Sequence, residues 1–76
     1  MIICFSTKSG SQYELNPDDQ LIRRLSGVKD PTPRQGEDGK WKGYWDVELA
    51  NGGLLIHWNE YGQATLTSHI AEVWAR

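Results

Sequence analysis

The chain has a single cysteine, Cys4, which excludes an intramolecular disulfide, and neither of its two histidines stands at a spacing from it that resembles a zinc site. That usage suits a cytoplasmic protein. Long apolar runs are also missing. The stretch from Ile2 to Phe5 is far too short for a signal peptide or a membrane span, so a soluble protein without a membrane partner is expected. Nor is there a strong excess of charge. A formal net charge of −2 argues against a nucleic-acid binder driven by bulk electrostatics. With 76 residues there is material for one small core, and therefore for a single domain over 1–76 of modest stability. A homodimer that shared apolar surface would add stability, and nothing in the sequence requires one.

The charges that are present are unevenly placed. From Gln20 to Trp45 six basic residues (Arg23, Arg24, Lys29, Arg34, Lys40, Lys42) face three acidic ones (Asp30, Glu37, Asp38). Elsewhere Lys8 and Arg76 stand against seven carboxylates. A local basic surface over the first of these stretches competes with the plainer reading of an ordinary solvated face.

The clearest pattern runs from Trp41 to Ser68 and reads as a β-meander. Trp41, Gly43, Trp45, Val47 and Leu49 alternate with Lys42, Tyr44, Asp46 and Glu48, which gives a strand one apolar and one polar face. Asn51-Gly52 then supplies the two positive-φ residues of a type I′ hairpin. A two-residue loop there sets Leu49 opposite Leu54, Val47 opposite Ile56 and Trp45 opposite Trp58. A slip by one residue would turn Trp58 to the other face, so pattern and turn chemistry agree on one register. Beyond it, Glu60-Tyr61-Gly62 reads as a three-residue loop with Gly62 left-handed, which predicts Leu66 on the face of Ile56 and Trp58, with Thr65 and Thr67 outward.

On either side of the meander the signals are weaker. Ile2 to Ser6 suits a strand, Thr7 to Ser11 a turn, and Tyr13 to Leu15 a second strand. Asn16-Pro17-Asp18-Asp19 suits either a turn or a helix N-terminus, so 17–25 reads as a turn and third strand, with a short helix as the alternative. Residues 26–40 hold Pro31, Pro33, Gly27, Gly36 and Gly39 with few apolar side chains, and predict a loop long enough to be either a binding segment or plain connection. The segment from Ser68 to Arg76 predicts a last strand with a bulge, or a final helical turn, and its pairing with Ile2 to Ser6 would remove two free edges. The expected fold is mainly β: one small antiparallel meander or partly open barrel of five to six strands, of SH3-like size.

Two constellations invite a chemical reading. The hairpin register places Asp46 opposite His57 with Glu48 one step along, so a carboxylate is able to orient the imidazole. No nucleophile or metal set accompanies it, and a cross-strand charge pair is the simpler reading. The second is aromatic. Four tryptophans and three tyrosines exceed what so small a core hides, which leaves Trp41, Tyr44, Tyr61 and Trp74 as candidates for partial exposure; the plainer reading has Trp41 and Trp74 cover the ends of the barrel. Exposed aromatics beside arginine form the composition of a protein-binding hot spot, and also of a platform for single-stranded nucleic acid. The binding residues singled out on this ground are Arg23, Arg24, Arg34, Trp41 and Tyr44.

Taken together, Ser9-Gly10-Ser11 with Tyr13-Glu14, Ile22-Arg23-Arg24-Leu25, Thr32-Pro33-Arg34 with Asp38-Gly39 and Trp41, then Leu54, Ile56 and Trp58, and finally Thr65 with Thr67-Ser68 span most of the chain. In these residues it resembles small proteins encoded by tailed phages of actinobacteria. It departs from them at His69-Ile70, where a proline followed by valine is expected. The resemblance implies a phage product acting in the cytoplasm of an infected bacterium, and it transfers no activity and no functional residue. The expectation is a non-enzymatic binding module without cofactor that acts on a host or phage protein. The alternative is a small β-barrel that holds single-stranded nucleic acid on its aromatics and arginines.

Overall fold

The computed structural model describes residues 1–25 and 39–76; the segment 26–38, with Arg34 and most of the predicted loop, lies outside the described residues. Within them the chain is all-β. Strands β1 (Ile3–Thr7), β2 (Gln12–Asn16), β3 (Leu21–Leu25), β4 (Lys42–Gly43) and β8 (Ile70–Ala75) form an antiparallel sheet in the order β4-β3-β2-β1-β8. A second antiparallel sheet contains β5 (Asp46–Ala50), β6 (Gly53–His57) and β7 (Ala64–Leu66). The described residues therefore make eight strands rather than five to six, in two sheets with no closed barrel.

Residues 17–25 resolve to the turn and strand. The side chain of Asn16 accepts the backbone N–H of Asp19 at 3.3 Å and bonds its carboxylate at 3.2 Å, which closes the turn after Pro17. Gln20 then adopts a left-handed φ of 52°, which ends any helical continuation. Its carbonyl accepts Tyr44 N–H at 3.0 Å while its side-chain amide donates to the Trp45 carbonyl at 3.0 Å. One residue of the β2–β3 turn thus pins the segment by which the chain passes from the large sheet to the small one.

The hairpin forms in the predicted register. Asn51 and Gly52 have φ of 52° and 81°, and Leu49 faces Leu54 while Val47 faces Ile56. Burial corrects the expected face. Leu54 and Ile56 on the central strand β6 are buried, but Leu49 on the edge strand β5 is 76% exposed and Trp45, just before it, 56%. Strand alternation sets the side on which a residue lies, whereas burial needs an opposing layer, and that layer reaches Val47 but neither end of β5. The ladder also ends at Asp46 and His57, short of the expected Trp45–Trp58 pair.

A further correction concerns the loop after β6. Trp58 N–H donates to the Gln63 carbonyl at 2.9 Å, so four residues, Asn59 to Gly62, make the loop instead of three. Asn59 is drawn into it because its side-chain oxygen accepts Tyr61 N–H at 2.9 Å, while Gly62 takes the predicted left-handed φ, at 94°. One added residue flips every side chain that follows. Leu66 accordingly pairs with Leu55 and is exposed, and Thr65 faces Ile56. Thr67 is buried, not outward. Its hydroxyl accepts Leu54 N–H at 2.9 Å, and its own N–H donates to the Leu54 carbonyl at 2.9 Å. The backbones approach so closely here that a Cβ at Gly53 would lie 2.4 Å from the Thr67 carbonyl oxygen.

From Ser68 the chain returns to the large sheet. β8 pairs with β1 as expected, with a register shift between Ser6 and Thr7. Between the sheets lie Phe5, Leu15 and Ile22 from one and Leu54 and Ile56 from the other, flanked by Ile3, Tyr13, Tyr44, Val47, Trp58 and Ile70. The Phe5 and Tyr13 rings stack with centroids 4.9 Å apart. Among the described residues no helix is long and apolar enough to cross a membrane.

Candidate binding face

Because successive side chains of a strand point to opposite faces, the sheet side opposite Phe5 and Leu15 carries Cys4, Glu14 and Arg23. Cys4 pairs with Glu14 on one side and with Trp74 on the other, and Glu14 pairs with Arg23. One step past the last β3–β4 pair, Trp41 comes level with Arg23. The register therefore sets five residues in one row across the sheet: Trp41, Arg23, Glu14, Cys4 and Trp74. At the usual strand spacing this row is about 19 Å long.

Charge and burial vary along the row in an ordered way. Its centre is closed, with Glu14 2% and Cys4 3% exposed, and its tryptophan ends are open. Glu14 is held from both sides, by the Arg23 guanidinium on one carboxylate oxygen and by Arg76 on the other. A buried carboxylate is costly without such partners, so the two arginines explain why an acid occupies the middle of the sheet. Arg23 makes a second contact. Its Cζ lies 4.5 Å from the centroid of the Trp41 ring, a cation–π distance.

The structure thus brings together two of the predicted binding residues and separates the others. Arg23 and Trp41 stack on the outer face. Arg24, the next residue of the strand, belongs to the opposite side, pairs with Tyr13 and donates to the Ser11 hydroxyl at 3.2 Å. Tyr44 is half-buried against the core rather than displayed beside Trp41. Burial, with the nearby charge of Asp46 as the second cause, raises its phenol above the ordinary value of 10.0. Arg34 lies outside the described residues.

Glu14, Cys4 and Arg76 were not among the predicted site residues, and Trp74 was expected only to be partly exposed. A signal for them exists in the expected β1–β8 pairing: once its register is fixed, Trp74 falls level with Cys4, and Arg76 follows at the period of two. The predicted Asp46–His57 pairing is present in the register, but the contact is diagonal. His57 Nε2 lies 3.2 Å from Glu48 Oε1, while Asp46 turns back to accept Val47 N–H at 2.9 Å. Among the described residues no group of three His, Cys, Asp or Glu side chains is placed to hold a metal ion.

A second concentration of aromatics lies on the other side of β4. Gly43, Tyr44, Trp45, Trp58, Asn59, Glu60 and Tyr61 line an open cleft of about 480 Å³. Comparison with protein families, curated proteins and solved structures finds no match to the chain.

Proposed function

We propose that the protein is a non-enzymatic binding module that docks a protein partner on the outer face of the five-stranded sheet, with Trp41, Arg23 and Trp74 as its anchors. The observation that carries this reading is the stacking of Arg23 on Trp41 in the same row as Trp74. Tryptophan and arginine dominate the energetics of protein interfaces, and an arginine already held by Glu14 loses little rotamer freedom when a partner arrives. The resemblance to small phage proteins supplies the setting, in which the partner is a host or phage protein in the bacterial cytoplasm.

A single-stranded nucleic acid is the second reading, favoured by aromatic rings spaced along a sheet face with arginines between them. The ion pairs argue against it. Among the described residues both arginines of the face spend charge on Glu14, and the whole chain is acidic, so little is left for phosphates. Capture from lysate of an actinobacterial host, with and without nuclease, separates the two. A protein retained after nuclease, released by Trp41→Ala and Trp74→Ala in folded protein and nearly indifferent to salt, is the expected result. Loss on nuclease treatment, together with affinity for an oligodeoxythymidine that falls steeply with salt, would replace the first reading with the second.

A further inference from the structure

We propose that the cleft between β4 and the loop after β6 is a binding site for a small quaternary ammonium solute, a site separate from the outer sheet face. The chemistry of its walls is the first ground. Four of the lining residues, Tyr44, Trp45, Trp58 and Tyr61, are aromatic, and the only formally charged one among the described lining residues is Glu60. Aromatic ring faces carry negative potential, and together with a carboxylate they attract a cation whose methyl groups shed water easily. The volume of about 480 Å³ is within the range of small-molecule sites.

An ammonium already lies against one of these walls. Lys42 Nζ sits 5.9 Å from the centroid of the Trp58 ring, at the outer limit of a cation–π contact. Beside Tyr44, Asp46 adds a second carboxylate, whose charge contributes to the raised pKa of the phenol. Lys42 is not itself among the described residues that line the cleft, so a bound cation would share only the Trp58 ring with it.

The backbone that carries the walls, and the Trp58 ring itself, are held by hydrogen bonds. Gln20 holds Tyr44 N–H and the Trp45 carbonyl, and Trp45 N–H donates to the His57 carbonyl at 2.8 Å. Across the cleft, the Trp58 indole N–H donates to the Thr65 hydroxyl at 2.8 Å, and Asn59 accepts Tyr61 N–H at 2.9 Å. A backbone held in this way limits the entropy lost on binding to the exposed side chains. Gln20 adopts its left-handed φ where it makes these two bonds, so the turn conformation and the cleft geometry are coupled.

The experiment is a titration of ¹⁵N-labelled protein with choline chloride against a sodium chloride blank, following the four tryptophan indole N–H signals. The Trp45 and Trp58 signals should move saturably, and those of Trp41 and Trp74 should stay. The uncharged isostere 3,3-dimethylbutan-1-ol should bind about tenfold more weakly, since cation–π attraction in a partly desolvated site is of that order. Glu60→Gln and Tyr61→Ala, both at exposed positions that leave the fold intact, should each weaken choline by several-fold. Equal binding of the isostere would reduce the cleft to an apolar hollow and overturn the proposal. So would saturable shifts with cellobiose and none with choline, which would make it a carbohydrate site, or the absence of any saturable shift. Because the outer-face tryptophans report separately, the result is independent of the protein-docking reading.

Discussion

Arg23 stands between two partners, with its guanidinium 4.5 Å from the centre of the Trp41 ring and its nitrogens bonded to the carboxylate of Glu14. The contact with Glu14 stabilises a buried charge, and the contact with Trp41 holds an aromatic ring at the rim of the sheet. A single side chain therefore links the stability of the sheet centre to the presentation of its outer face.

The two arginines on Glu14 are unequal, and this gives the first test. Arg23 is the more enclosed and bonds through both Nε and a terminal nitrogen, whereas Arg76 is more than half exposed. Arg23→Met should cost about 2 kcal/mol, in the range of hydrogen bonds to charged groups, and Arg76→Met clearly less. The double variant should lose more than the sum of the two, because it strands the carboxylate without a cation. Urea denaturation of the three variants measures this; strictly additive losses would mean that Glu14 does not depend on the pair.

Close backbone approach at the junction of the two sheets gives a second. Gly53→Ala places a methyl carbon 2.4 Å from the Thr67 carbonyl oxygen, where backbone must move to admit it, and should cost about 1 to 3 kcal/mol. Thr67→Val removes the acceptor of the buried Leu54 N–H and should cost a similar amount. At the hairpin tip, Asn51→Gly should be nearly neutral and Asn51→Pro severely disruptive, since proline cannot take the φ of 52° found there. Thermal melts rank the four. A Gly53→Ala protein as stable as wild type would contradict the packing of β6 against the segment at Thr67.

Local signals made the hairpin legible, because the Asn51-Gly52 turn and the alternation of apolar residues on both sides agree within a dozen residues. The edge argument likewise anticipated the β1–β8 pairing. What escaped depends on counting or on distant partners. Three- and four-residue loops both place glycine at the left-handed position before the return strand, so Gly62 alone did not separate them, and the difference inverted Leu66, Thr65 and Thr67. Trp45 and Leu49 carry the alternation of core residues, but no pattern along β5 reveals how far the opposing sheet extends. Grouping Arg23 with Arg24 conflicts with strand geometry itself, since neighbours on a strand lie on opposite faces. The Glu14 site required the register of four strands at once, and no window of sequence holds that.

Alkaline pH tests the burial of Tyr44. Its folded-state pKa is raised, by burial first and by Asp46 second, so the native protein keeps a proton that the unfolded chain releases near the ordinary value. Below the unfolded value of 10.0 this contribution to stability is fully present, and it is lost as pH rises through the folded value. Stability should therefore fall above about pH 10, the unperturbed tyrosine value, and Tyr44→Phe should remove part of that fall. Asp46→Asn should shrink that fall and complete it at a lower pH, because it lowers the folded pKa and leaves the unfolded one, which sets the onset. The check is urea midpoints at pH 8 to 11 for the three proteins, and identical slopes for wild type and Tyr44→Phe would place the phenol in water.

The opposed orientations of Arg23 and Arg24 provide the sharpest functional test, because the two residues are adjacent and chemically identical. If a protein partner docks on the outer face, Arg23→Ala and Trp74→Ala should each weaken it by about tenfold or more, as loss of interface anchors does. Arg24→Ala should leave the affinity within about twofold, since its side chain belongs to the inner side of the sheet and bonds Ser11. Circular dichroism and melting temperature establish that each variant is folded, and the captured partner supplies the ligand for calorimetry. The stability loss expected for Arg23→Ala is controlled by Arg76→Ala, which disturbs the same carboxylate from the other side of the row, away from Trp41. Weakening by Arg24→Ala with retention by Arg23→Ala would move the interface to the other side of β3 and end the outer-face reading.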